Sequence, residues 1–360
     1  MTKTVVTVSG IRPDFIRMSE VFKRLDEADW CRHILIHTGQ HYDRLLSDIF
    51  FEDLKIRKPD YNLNIGSPGK QHYHQQAELG PALIDVFKQE NLNPDLILFL
   101  GDSNSVLASV PLRKEGYKIG HIEAGMRSYD ERMLEEINRK VCDHVSNLLF
   151  VYHENYKKKA IKEGIPPERI HIVGNTIIEP LKNITDLKYK GKKSHILLDI
   201  HRPENFKYPK RLQEIINFAN LCHEKTGIPI KMLKFHRTIL SINKFNINLK
   251  NIDLIDLMGY TNFVKFMQES YFIVSDSGTA QEEPALLDIP VIVPREFTER
   301  PESVQNNNSK MLVLDGSEGN YRKYIDWALS NPKMSIEWLG SGDASYKIIK
   351  KIKRYLFHEL

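Results

Sequence analysis

The sequence predicts an α/β protein made of two doubly wound, Rossmann-type domains facing each other across a cleft. Three observations predict it. Short apolar runs alternate with longer helical patterns, the signature of parallel strands joined by covering helices. The pattern pauses in a lysine-rich stretch between residues 175 and 194 and then restarts. Polar clusters follow several of the strands, and open parallel sheets bind ligands at the carboxyl ends of their strands.

In the first half, strands are expected at residues 4–8, 33–37, 96–100, 120–122, 148–151 and 170–173, with helices such as 15–26 and 135–146 between them. In the second half, strands are expected at 195–200, 230–235, 252–257, 271–275 and 291–293. The domains are therefore expected at 1–180 and 190–340. The segment 341–360 carries a closing helix, about 346–357, which could pack on either. No short repeat or low-complexity tract is visible.

Composition excludes several function classes. A net charge of +4 on 360 residues, spread along the chain, does not argue for nucleic acid. The basic run Lys347, Lys350, Lys351, Lys353 and Arg354 reads as a solvated helix face. Cys31, Cys142 and Cys222 are far apart and lack metal-site spacing, so a reducing cytosol is the expectation. No apolar run reaches membrane-spanning length, and the chain opens directly in a strand. A cytoplasmic protein with no membrane partner is expected.

Four clusters fall at expected strand ends. Gly10-Ile11-Arg12-Pro13-Asp14, followed by Arg17, offers a tight turn and two arginines that could bracket an anion. Asp102 lies in Gly101-Asp102-Ser103-Asn104-Ser105; alone, it reads equally as a helix N-cap. Glu123 ends a third strand, and Glu135 and Glu136 open the next helix, where the dipole favours acids without any function. Together, Asp102, Glu123 and Glu135 or Glu136 would converge on one end of the sheet, as acid–base chemistry requires. In the second half, His201 sits in His201-Arg202-Pro203-Glu204-Asn205, where a packed, hydrogen-bonded histidine is the ordinary reading.

The strongest segment is Asp276-Ser277-Gly278-Thr279-Ala280-Gln281-Glu282-Glu283. It reads as a strand, a Ser/Gly/Thr turn and a helix N-terminus, an arrangement that suits a phosphate. Arg300, in Thr298-Glu299-Arg300-Pro301-Glu302, adds a cation. A sugar joined to a diphosphate fits this combination. The His/Gln-rich stretch 71–76 matches no zinc pattern and reads as a solvated loop or a helix start. There is no Walker loop and no three-glycine nicotinamide fingerprint.

These clusters, with Thr38-Gly39-Gln40-His41 and Gly174-Asn175-Thr176, resemble the non-hydrolysing UDP-N-acetylglucosamine 2-epimerases from about residue 5 to 312. The resemblance implies a GT-B-like fold, a homodimer, a UDP-N-acetylhexosamine substrate, and no metal or nicotinamide. It implies that Asp102, Glu123, Glu135 and His201 are catalytic. Arg12, Arg17, Phe263, Ser277, Gly278, Thr279, Glu283 and Arg300 match positions that hold substrate or UDP. Which carboxylate takes the proton stays open.

Some positions depart from the family pattern. Arg17 replaces a lysine; it can clamp phosphate and is a poor general acid. Ile11 replaces a threonine, Thr279 a glycine and Leu134 a proline, and residues 67–76 differ from the family's allosteric region. Arg17, a short 127–135 loop, Phe50-Phe51-Glu52-Asp53-Leu54 and Gly342-Asp343-Ala344-Ser345 resemble a sub-branch that forms UDP-N-acetyl-L-fucosamine from the 6-deoxy-L-talose epimer. The leading expectation is interconversion of UDP-GlcNAc and UDP-ManNAc for surface-polysaccharide precursors. The 6-deoxy substrate is the runner-up; a GT-B glycosyltransferase and a non-catalytic nucleotide-sugar sensor rank below it.

Overall fold

Apolar β-branched and aliphatic runs become the interior strands of two parallel sheets. The computed structural model describes residues 2–40, 48–67, 69–188 and 191–358. The chain divides into two compact units, Met1–Pro180 with Leu339–Leu360, and Leu181–Trp338.

The first unit holds seven parallel strands: β1 (Lys3–Ser9), β2 (Cys31–His37), β3 (Tyr61–Asn62), β4 (Leu96–Leu100), β5 (Ile119–Ile122), β6 (Leu148–Val151) and β7 (Ile170–Ile172). Their order, β3-β2-β1-β4-β5-β6-β7, reverses direction between β1 and β4. That reversal opens a crevice at the strand ends. Every residue of β4, Leu-Ile-Leu-Phe-Leu, is buried, as expected of a strand covered on both faces. Val6, Val8, Ile97 and Phe99 pack with Leu83 and Phe87 from the helix His72–Gln89.

The second unit repeats the plan with β8 (His195–Asp199), β9 (Ile230–Leu233), β10 (Ile252–Ile255), β11 (Ser270–Ser275), β12 (Val291–Val293) and β13 (Ser309–Met311). The order is β10-β9-β8-β11-β12-β13, again reversing beside the first strand. Its core joins Ile196, Leu198, Phe272 and Val274 to Ile215, Phe218 and Cys222 of the helix Pro209–Thr226. That helix stops at Gly227, which adopts the left-handed conformation glycine tolerates.

All eleven expected strands are present, with ends shifted by up to two residues. Two more strands, β3 and β13, carry no apolar run to betray them: one has two residues and the other reads Ser-Lys-Met. The closing helix Ala344–Leu356 belongs to the first unit. Arg24 Nε donates to Ser345 Oγ at 2.6 Å, and the backbone N–H of Ser345 donates to Glu179 Oε2 at 2.8 Å. The stretch 71–76 opens the helix His72–Gln89, where His72, Gln75 and Gln76 hydrogen-bond with Asn104. His41 lies outside the described residues. Among those described, no group of three His, Cys, Asp or Glu gathers as metal ligands, and no helix is long and apolar enough to cross a membrane.

Candidate active site

In the first unit, the expected carboxylates stand at the ends of neighbouring strands β4 and β5. Asp102 follows β4, and its carboxylate pairs with Arg139 Nη2. Its backbone carbonyl accepts from Asn138 Nδ2 at 2.9 Å. Both partners come from the helix Leu134–Val145, so Asp102 is gripped at backbone and side chain by one element. Glu135 and Glu136 occupy that helix's first turn. Glu136 is buried and accepts from the backbone N–H groups of Ser128 and Tyr129 at 3.0 and 3.1 Å and from Arg139 at 2.9 Å. It ties down the preceding loop, and Glu135, half-buried, is the other acid of the helix's first turn.

Glu123 follows β5 with φ +68°, a left-handed conformation that costs an ordinary residue about 1–2 kcal/mol. Such strain persists only where surrounding contacts fix it, and they do here. Arg17 Nη1 lies 3.0 Å from Glu123 Oε2, the guanidinium being only 2% exposed. The same nitrogen donates to Asn175 Oδ1 at 3.2 Å. Tyr152 donates its hydroxyl to Glu123 Oε2 at 3.3 Å and lies 2.7 Å from Thr176 Oγ1. Arg17, expected to clamp phosphate, is placed against a catalytic candidate. Arg12 is half-buried at the first position of the same helix, Arg12–Asp26.

Asp14, in the first turn of that helix, is 3% exposed. Its Oδ2 accepts from the backbone N–H groups of Gly10 and Ile11 at 2.9 and 3.2 Å. Burial raises its pKa to about 7; the two N–H groups oppose the rise, and the Asp102 and Glu123 carboxylates add to it. Between about pH 4 and pH 7 the native state therefore holds a proton that the unfolded chain has lost. Stability must fall as pH rises through this window, by up to about 4 kcal/mol. Asp14→Asn, which keeps an acceptor oxygen, is expected to melt above the wild type at pH 8 and close to it at pH 4. A variant less stable than the wild type at pH 8 would show that this carboxyl is ionised without cost.

In the second unit, His201 follows β8 with its Nδ1 3.0 Å from Asp199 Oδ1 and 3.5 Å from Asp276 Oδ1. Burial alone would lower the imidazole pKa; the two carboxylates reverse this and hold it above its ordinary value. Asp276 follows β11 and accepts from the N–H groups of His201 and Arg202, both at 3.0 Å, and from Asn205 Nδ2 at 2.9 Å. The turns after β8 and β11 are thus one hydrogen-bonded piece.

In the turn after β11, expected to suit a phosphate, the Ser277 and Thr279 hydroxyls lie 3.1 Å apart and the Ser277 N–H donates to Ser275 Oγ. The expected helix beyond it is only a 3-10 turn, Thr279–Gln281, and four residues, Glu283–Leu286. An aligned dipole therefore contributes little, and the cation Arg300 matters more. Arg300 is fixed by Glu282 at 2.8 Å and Glu299 at 3.2 Å. Glu283 accepts from the Tyr260 hydroxyl at 2.5 Å, and Phe263 lies half-buried on the same helix, Tyr260–Gln268. The first unit thus brings together Asp102, Glu123 and Arg17, and the second brings together His201 with the turn after β11.

Sequence reading assigned no role to Asp14, Tyr152, Asn175 or Thr176. Tyr152 directly follows β6, and Asn175 and Thr176 come soon after β7, so the strand-end rule could have found them. Asp14 reads as an ordinary first-turn acid.

A family profile described as UDP-N-acetylglucosamine 2-epimerase matches residues 23–353. The UDP-N-acetylglucosamine 2-epimerase of Methanococcus maripaludis is 38% identical over 329 residues, covering 86% of this chain and 87% of the relative. A UDP-2,3-diacetamido-2,3-dideoxy-D-glucuronate 2-epimerase of Pseudomonas aeruginosa is 33% identical, covering 83% and 85%. The crystal structure of Methanocaldococcus jannaschii UDP-GlcNAc 2-epimerase in complex with UDP-GlcNAc and UDP is similar at a TM-score of 0.89 and 30% identity, covering 97% of this chain and 99% of that one.

Proposed function

The chain belongs to the UDP-N-acetylglucosamine 2-epimerase family, and we propose that it interconverts UDP-GlcNAc and UDP-ManNAc without net hydrolysis. A carboxylate removes the proton from the carbon bearing the acetamido group while the bond from the anomeric carbon to UDP breaks. The glycal so formed is protonated on its other face, and UDP returns. UDP is both leaving group and nucleophile, so water must be kept out.

One observation carries the reading. Asp14, Asp102 and Glu123 follow three strands that are adjacent in the sheet, β1, β4 and β5. Glu123 is held in an ion pair, while Asp14 has its pKa raised to about 7. Carboxyl groups gathered at adjacent strand ends, close enough that Asp102 and Glu123 help raise the pKa of Asp14, are the setting that acid–base chemistry on one carbon needs. In this reading Asp102, Glu123 and Glu135 serve the sugar and Arg17 holds Glu123 in place. His201 meets charge developing on the departing diphosphate. With Nδ1 engaged by Asp199, its proton exchange runs through Nε2. Arg12, Ser277, Gly278, Thr279, Glu283 and Arg300 hold UDP, with Phe263 near the uracil.

Gly278 gives this last group a test. A Cβ there would lie 2.6 Å from Arg300 Nη1, so any side chain displaces the cation. Gly278→Ala is expected to weaken UDP binding at least about tenfold, or about 1.4 kcal/mol, by titration calorimetry. Unchanged affinity would remove Arg300 from the UDP site.

The 6-deoxy-L-talose substrate is not favoured: the relatives above bear names for other UDP-acetamido sugars. A glycosyltransferase has no use for three carboxylates around the donor sugar, and a sensor has no need of them. A cytoplasmic homodimer supplying surface-polysaccharide precursors completes the proposal. The elimination step is tested with UDP-GlcNAc carrying 18O in the bridge between the anomeric carbon and the β-phosphorus. Scrambling of the label into the non-bridging positions is expected in recovered substrate. Retention of the label during epimerisation would exclude UDP departure.

A further inference from the structure

The first unit holds a second charged cluster, in which the side chains of His121, Asp143 and Arg127 are fully buried. His121, in β5, points Nδ1 at Asp143 Oδ1 and Nε2 at the carbonyl oxygen of Gly101, each at 2.7 Å. A carbonyl and a carboxylate only accept, so both ring nitrogens carry protons. The other oxygen of Asp143 accepts from the Gly125 N–H at 3.0 Å and lies 2.8 Å from Arg127 Nη2. Arg127 is neutralised in turn by Glu163 at 2.6 Å.

The two backbone groups held by this pair are telling. Gly101 immediately precedes Asp102, and Gly125 comes two residues after Glu123. Gly125 has φ +76°, and a Cβ there would lie 2.6 Å from the Tyr156 carbonyl oxygen, so the turn has little room to settle elsewhere. Asp143 sits on the helix that also supplies Asn138 and Arg139 to Asp102. We propose that His121 and Asp143 are positioning residues for the reaction, an imidazolium–carboxylate pair that fixes the turns carrying Asp102 and Glu123 relative to each other. Charge and geometry agree. Burial would lower the His121 pKa, but Cys142 and Asp143 beside it lift it well above its ordinary value. Neither side chain is exposed, so neither can touch substrate.

The inference rests on Asp102 and Glu123 being reacting groups, and its test separates the two ideas. Wild-type turnover of UDP-GlcNAc reports on the reaction. His121→Asn and Asp143→Asn, in the full chain, report on positioning. Each is expected to lower kcat about 10- to 100-fold, as a misplacement of about 1 Å does, while KM and UDP affinity stay within about threefold. Turnover within twofold of wild type in both variants overturns the proposal, as does a parallel loss of UDP affinity and kcat. Should the variants not fold, the wild type decides. With 15N-labelled histidine, both ring nitrogens of His121 are expected to remain protonated from pH 6 to pH 9. A neutral imidazole at pH 7 overturns the proposal.

Discussion

Replacing Glu123 by glutamine is expected to cut turnover of UDP-GlcNAc by about 10²- to 10⁴-fold, the range that general acid–base groups contribute. Glutamine keeps the size and the acceptor oxygen facing Arg17 and Tyr152, but it cannot take a proton. UDP affinity should stay within about twofold, because Glu123 is not among the proposed UDP-binding groups and all of these but Arg12 lie in the other unit. Asp102→Asn should behave alike: Arg139 and Asn138 keep acceptors there, while the charge is gone. Steady-state kinetics and calorimetric UDP titration read both quantities from one preparation. Near-normal turnover in both variants would end the carboxylate mechanism.

The second large effect concerns Arg17. Removing one partner of a buried ion pair leaves the other desolvated and unpaired, at a cost of about 3–5 kcal/mol. Arg17→Met should therefore destabilise the protein by about that amount and abolish turnover, because the strained Glu123 carboxylate loses the cation that neutralises it. For a domain of about 150–250 residues the melting temperature should drop by roughly 10 °C. Arg17→Lys is milder. Glu123 and Asn175 are both reached through one nitrogen, Nη1, which an ammonium group can imitate. The double variant Arg17→Met/Glu123→Gln completes a cycle. It should recover much of the lost stability, since no charge is left stranded, yet remain inactive. A double variant no more stable than Arg17→Met would show that the two residues are energetically independent.

Much of this was legible because strand ends are marked by composition. Asp102, Glu123 and His201 each follow an apolar run, and the sheet topology turns that spacing into proximity. The number of strands was harder to read, because β3 and β13 owe their places to neighbouring strands rather than to their own apolar content. The partners of Arg17 are hard to read for a related reason. Seven residues after a glycine turn, it is set to bracket an anion, and only the fold shows that Glu123 is one anion beside it. Asp14 was hidden by a local rule: an acid in a first helical turn needs no function, and its environment depends on carboxylates about 90 and 110 positions away. His121 and Asp143 were hidden by position, one within a strand and the other near a helix end, where sequence offers no sign of a charge pair. The helix after Gly278 was overestimated, since proline and glutamate at its start are compatible with any length.

The most direct test is proton NMR of the purified protein with UDP-GlcNAc in deuterated water. The account predicts UDP-ManNAc carrying deuterium at the inverted carbon, with deuterium also washing into recovered UDP-GlcNAc and no accumulation of free sugar. Inversion with the original proton retained would contradict proton abstraction by the carboxylates. Release of N-acetylmannosamine and UDP as final products would contradict the return of UDP.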